Sequence, residues 1–284
     1  MRPTLVETAF LNSRLTLVLV LVIVPLACWM WVMAMARDMY GAMTGAAAWM
    51  MTPVWDAPRL IVLWAMWAAM MAGMMLPSAT PIVLLYAGAA RNRPESDRPA
   101  GRIYALAGGY LLVWAVFSVG ATLLQRLFAA LLLLTPMMEP ATPRAAAALL
   151  VVAGLYQLTP LKQACLRSCR SPIDLLGSRW RPGVAGAFQM GIEHGIYCLG
   201  CCWALMLLLF AGGVMNLAVI LTLTAWVAVE KVAPFGQQSA RVGGALLLGA
   251  AAWMLLRYMV RPQRWPTARC SSRSRTGSSL SCRT

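Results

Sequence analysis

Runs of apolar residues, each about as long as a bilayer is thick, alternate with short arginine-bearing stretches along most of the chain. Seven segments have this character: residues 15–36, 60–89, 103–124, 145–160, 186–211, 214–230 and 243–260. Backbone polar groups find no water in hydrocarbon, so such segments must close their hydrogen bonds internally, as α-helices do. The expected fold is therefore all-α, a polytopic transmembrane helix bundle of about seven spans, with six to eight compatible with the pattern. Residues 1–262 would form one helical domain. The Ser-, Arg- and Thr-rich stretch 263–284 has no apolar pattern and reads as a disordered basic tail. Pro77 and Pro81 interrupt the second segment, so a kink or break is expected there, with a neighbouring helix satisfying the freed carbonyls.

Basic residues orient the bundle. Arg91, Arg93, Arg98 and Arg102 fall in the loop 90–102, and Lys162, Arg167, Arg170, Arg179 and Arg181 in the loop 161–182. Positive loops stay in the cytoplasm, which places the N-terminus there too. Seven spans would then put the arginines of the tail outside, against the same rule. The first apolar run is too long for a signal-peptide core and reads as the first span.

Composition agrees: 61% of the 284 residues are hydrophobic and 12% charged. The net charge of +15 does not suggest nucleic acid, because the arginines lie between apolar runs rather than in a stripe with stacking aromatics. The lipid bilayer is the expected partner. The chain has no phosphate-binding loop of the G-x-x-x-x-G-K-[ST] type, so no ATP hydrolysis is expected.

The fifth segment, GAFQMGIEHGIYCLGCCWALMLLLF, holds Glu193 and the chain's single histidine, His194, within an apolar run, and ionisable residues in such a place are functional by default. At about 100° per residue, Met190, His194, Cys198 and Cys201 share one face, with Cys202 at its edge and Glu193 on the opposite flank. Thiolate, thioether and imidazole together suit a soft ion: Cu(I) first, with Zn²⁺ able to use the His and Cys members. Met190 to Cys201 rises about 16 Å, so one ion would use neighbouring members plus ligands from another helix.

Segment two offers such ligands, with Met66, Met70 and Met74 at four-residue spacing and Met71 and Met75 beside them. Gly73 would let another helix approach closely. Cys165 and Cys169, also four apart, would align on a helix face, and Lys162, Arg167 and Arg170 would favour their thiolates. They read as a cytoplasmic gateway for metal or as two reduced surface thiols. Glu230 and Lys231 end the sixth segment, as an ion pair or as markers of the interface. Cys28 reads as packing, and Cys270 and Cys282, in the tail, carry no role.

The stretches WAMWAAMMAGMMLPSATP, GLYQLTPLKQACLRSCRSP, GIEHGIYCLGCCW and VEKVAPFG resemble a bacterial family of integral membrane proteins described as predicted metal-binding and copper-chaperone-like. The resemblance spans about residues 60–260 and is most specific at HG-x-x-C-x-GCCW. It implies a copper-related or other metal-handling role in the bacterial inner membrane. It also implies Met66, Met70, Met74, Cys165, Cys169, His194, Cys198, Cys201 and Cys202 as functional positions.

Three functions compete. The first is a non-enzymatic protein that binds Cu(I) and transports it or delivers it to a partner, with a metal-donor or metal-acceptor protein as the expected partner. The second is a thiol-disulfide oxidoreductase using the C-x-x-C pair Cys198 and Cys201. Known membrane enzymes of that kind need a second, external cysteine pair, and the expected outer loops 37–59 and 125–144 contain no cysteine. The third is an assembly subunit whose polar residues only hold helices together.

Overall fold

A computed structural model of the chain describes residues 13–41, 55–91, 99–135, 138–171, 177 and 179–260. The tail 263–284 and most of the loop 90–102 lie outside the described residues. Among these residues the protein is all-helical, with no strand beyond one isolated bridge between Leu134 and Pro140.

Each apolar segment corresponds to a helix. The first, α1 (Arg14–Met39), contains a π-turn, in which the Val24 N–H bonds the Leu19 carbonyl just before Pro25, which has no N–H to offer. Helix α2 (Ala57–Met75) starts at Asp56, whose side chain accepts from the Arg59 N–H. A 3₁₀ turn at Pro77–Ala79 then separates it from α3 (Thr80–Arg91), as the prolines require. The interrupted helix leaves the Met75 carbonyl without its usual partner. The Ser78 hydroxyl donates to it at 2.8 Å and the Tyr110 hydroxyl, from the next helix, at 3.0 Å.

Helix α4 (Pro99–Ala130) is followed by α5 (Pro143–Leu158) and α6 (Pro160–Arg170), the last two meeting at 65°. Thr159 explains that bend: the residue before a proline avoids the helical region, and here it is extended and caps α6 through its side chain. Residues 161–170 were expected in a loop. They form a helix packed into the bundle, because Lys162, Leu166 and Cys169 share an inward face at helical spacing. Helix α7 (Gly183–Gly212) leads to α8 (Leu217–Val232), capped by Asn216, and α9 (Gly236–Val260).

Five helices, α1, the α2–α3 unit, α4, α7 and α9, are long and apolar enough to cross a bilayer, and the bent α5–α6 pair passes the same test only when its two helices are taken together as one span. At 16 residues, α8 is shorter. Met30 and Leu246 are about 60% exposed on outward faces, and Trp253 shares that exposure, which fits lipid contact better than water. One end of the bundle gathers Tyr40, Glu139 and Asn216 around a cleft and carries the contact of Arg144 with the Tyr258 ring. The opposite end carries the stack of Tyr86 on Trp180 and the bonds from Arg170 to the Ala233 and Pro234 carbonyls.

The closest helix pair is α4 with α7. A Cβ on Gly191 would lie 2.1 Å from the Leu106 carbonyl oxygen, and one on Gly109 2.2 Å from that of Phe188. Only glycine fits at these two positions, and the resulting contact presses Tyr110 onto the polar face of α7. Gly73 approaches Cys28 in the same manner, at 3.3 Å between Cβ positions, which gives Cys28 the packing role expected of it.

Candidate metal centre

Cys198, Cys201 and Cys202 lie buried one turn apart in the middle of α7. Cys201 and Cys202 turn their thiols back to donate to the Cys198 carbonyl, at 3.0 and 2.9 Å. Helix α6 lies alongside and brings a fourth buried thiol, Cys169, next to Cys198 and Cys201. Half-buried Cys165 sits on the same α6 face, one turn earlier, against Gly200. A Cβ at Gly200 would lie 2.8 Å from the Cys165 sulfur, so this glycine makes the room that α6 needs. The six cysteines among the described residues, Cys28, Cys165, Cys169, Cys198, Cys201 and Cys202, are all free.

The broken end of α2 closes another side. Met75, at the last turn before Pro77, places its sulfur 4.0 Å from Cys202. Tyr110 spans from the Met75 carbonyl to the Cys198 sulfur, 3.0 Å from each. Lys231 enters from α8. Its ammonium donates to Cys198 Sγ at 2.9 Å, to Ser78 Oγ at 3.1 Å and to Met75 Sδ at 3.7 Å. A buried ammonium needs a compensating negative charge, and the Cys198 thiol is the contacting group able to supply it.

The residues singled out from sequence divide into two sets. Cys169, Cys198, Cys201 and Cys202 are brought together, with Cys165 at their margin. His194 is buried one turn before Cys198, its ring tilted 5.7 Å from that of Tyr110, and Met190 is buried one turn further away. Met66, Met70 and Met74 are fully buried in α2. Met70 and Met66, however, lie about 140° and 180° around the helix from Met75, on the side where Gly73 meets α1. Met75, not these two, is the thioether facing the thiols.

Three further expectations are corrected. Glu230 and Lys231 do not pair with each other: Glu230 binds Lys162 at 2.6 Å, and Lys231 turns to Cys198. Neither residue marks an exposed interface, at 1% and 8% exposure. Arg170 does not serve the α6 thiols, because it holds the carbonyls of Ala233 and Pro234, while Lys162 bonds Glu230. Glu193 is not isolated in hydrocarbon, since it is a quarter exposed and 3.4 Å from both Arg179 and Arg181.

Tyr110, Ser78 and Lys231 were absent from the ligand face read in sequence. Tyr110 had a signal, a polar ring directly after the glycine pair Gly108–Gly109 in mid-segment. Ser78 had one in the Pro77–Pro81 interruption, where a hydroxyl can satisfy a freed carbonyl.

Among the described residues, no three His, Cys, Asp or Glu side chains converge as placed on a point that could hold a metal ion. The orientation of Cys201 and Cys202 toward the Cys198 carbonyl accounts for this, and rotation about χ1 is the change that would free both thiols. As donors, four thiols and a thioether fit a soft ion and not a hard one. The fold and site thus define an apolar helical bundle with a buried sulfur-rich centre. The chain belongs to the PpoB2 family of copper chaperones, whose family model matches residues 64–254. Comparison with curated proteins and with solved structures gave no match.

Proposed function

We propose that the protein is an integral membrane copper carrier that binds Cu(I) among Cys169, Cys198, Cys201, Cys202 and Met75 and hands it to a metal-accepting protein. The observation that carries this proposal is the gathering of four thiols from two helices beside a thioether from a third, inside an apolar bundle. Soft sulfur ligands favour Cu(I), with Zn²⁺ as the competing ion. A path from the basic end runs along α7 past Met190 and His194 to the cluster, with half-buried Cys165 at the cluster's margin. Met66, Met70 and Met74 form a thioether row outside the centre. Copper is cargo here, and the protein acts on it by ligand exchange without catalysing a reaction.

The membrane setting is seven crossings of a bacterial inner membrane. Successive helices run between the two ends of the bundle, α8 included, which supports an odd number. The end bearing Arg102, Arg167, Arg170, Arg179 and Arg181 is assigned to the cytoplasm, and with it the N-terminus. The C-terminal turn of α9 then lies at the other end, where Tyr258 meets Arg144.

One observation also favours a redox reading: an ammonium on the first cysteine of a C-x-x-C suits a nucleophilic thiolate. Anaerobic titration of the purified protein with Cu(I) against a coloured chelator separates the two. The carrier is expected to retain about one Cu(I) per chain in the presence of excess Zn²⁺. A protein that retains no copper, yet forms a reversible disulfide between Cys198 and Cys201, would overturn the carrier.

A further inference from the structure

The Glu230 carboxylate is buried and receives three donors. Gln157 Nε2 and Trp226 Nε1 each bond Oε1 at 2.7 Å, and the Lys162 ammonium bonds Oε2 at 2.6 Å. Gln157 lies in the last turn of α5 and Lys162 in the first turn of α6, so one carboxylate grips both sides of the 65° bend. At about 100° per residue, Cys165 and Cys169 lie within about 60° of Lys162 around α6, so the gripped face is the thiol-bearing face. Arg170 ties the far end of α6 to the Ala233 and Pro234 carbonyls beyond α8. The next residue on α8, Lys231, turns the other way, to Cys198 on α7.

We propose that Glu230 is a positioning residue of the metal centre, fixing the bend so that the α6 thiols stand against the α7 thiols. Adjacent residues of α8 thus hold the two halves: Glu230 the α6 half, Lys231 the α7 half. The inference rests on the carrier function for its meaning, but its geometry is testable without copper. A buried ion pair kept only for stability would not need a bond to each side of the bend, and its replacement by apolar residues of similar volume is often neutral.

The test is thiol bridging in metal-free, full-length protein, using a fluorogenic bifunctional thiol reagent. One background retains only Cys169 and Cys198; a reference background retains only Cys198 and Cys201, both on α7. With Lys162→Met and Glu230→Met combined, bridging of Cys169 to Cys198 is expected to slow about tenfold or more, and the reference pair to react as before. Unchanged bridging between the two helices would overturn the proposal. Glu230→Gln, which keeps volume but turns one acceptor oxygen into a donor nitrogen facing a donor, carries the same criterion if the double variant does not remain monodisperse. With all cysteines present, either variant should bind Cu(I) about 10- to 100-fold more weakly, the usual effect of removing an orienting partner. Bridging lost with affinity unchanged would also overturn the positioning role. A wild type that binds no copper would retract the carrier function and leave the bridging result standing.

Discussion

Cys198→Ser should produce a folded protein whose Cu(I) affinity has fallen by more than about 100-fold, since loss of a direct ligand outweighs the 10- to 100-fold typical of an outer partner. Cys198 is the sulfur on which the centre converges. It meets Lys231 at 2.9 Å and Tyr110 at 3.0 Å, and its carbonyl anchors the thiols of Cys201 and Cys202. Serine can keep the hydrogen bonds to Lys231 and Tyr110 but supplies no negative charge beside the ammonium, so the fold is expected to be retained at a cost in stability. A hydroxyl is a hard, poorly ionised donor that Cu(I) does not favour. Chelator competition gives the affinity, and Cys28→Ser is the control, because Cys28 packs against Gly73 away from the centre. Equal affinities for the two variants would remove Cys198 from the ligand set.

Lys231→Met should lower the thermal stability of the metal-free protein and make that stability more dependent on copper. Removing one member of a buried charged contact typically costs about 3–5 kcal/mol, and protonation of the remaining thiol recovers part of it. The methionine keeps most of the side-chain volume but provides no positive charge beside Cys198. Bound Cu(I) supplies that charge again. Loading is therefore expected to raise the melting temperature of the variant by more than it raises that of the wild type, as ligand binding to the folded state requires. The measurement is thermal unfolding in detergent with and without Cu(I). If variant and wild type melt together in both conditions, Lys231 has no electrostatic role at the centre.

The helices were legible because apolar runs of bilayer length leave the backbone no alternative to internal hydrogen bonding. The break at Pro77 was legible for the same local reason. Helix α6 was legible only in part: Cys165 and Cys169 align if PLKQACLRSCR is helical, but its basic residues read as part of a cytoplasmic loop until its inward face is known. The α7 thiol face followed from helical spacing alone. Spacing could also arrange the methionines of α2 into rows, but it could not say which row meets α7. That choice is made where Gly73 turns Met66 and Met70 toward α1 and leaves Met75 for the thiols. The separation of Glu230 from Lys231 was within reach of sequence reasoning, since neighbouring residues on a helix point about 100° apart and do not face each other. Their partners, Lys162 and Cys198, are 68 and 33 residues away and are fixed only by packing.

X-ray absorption at the copper edge of the anaerobically loaded protein tests the sulfur centre most directly. The expected result is Cu(I) in a shell made of sulfur, which loses sulfur in Cys198→Ser and is unchanged in Cys28→Ser. A shell of nitrogen and oxygen, or a sulfur shell unaffected by Cys198→Ser, would contradict the assignment of copper to these thiols.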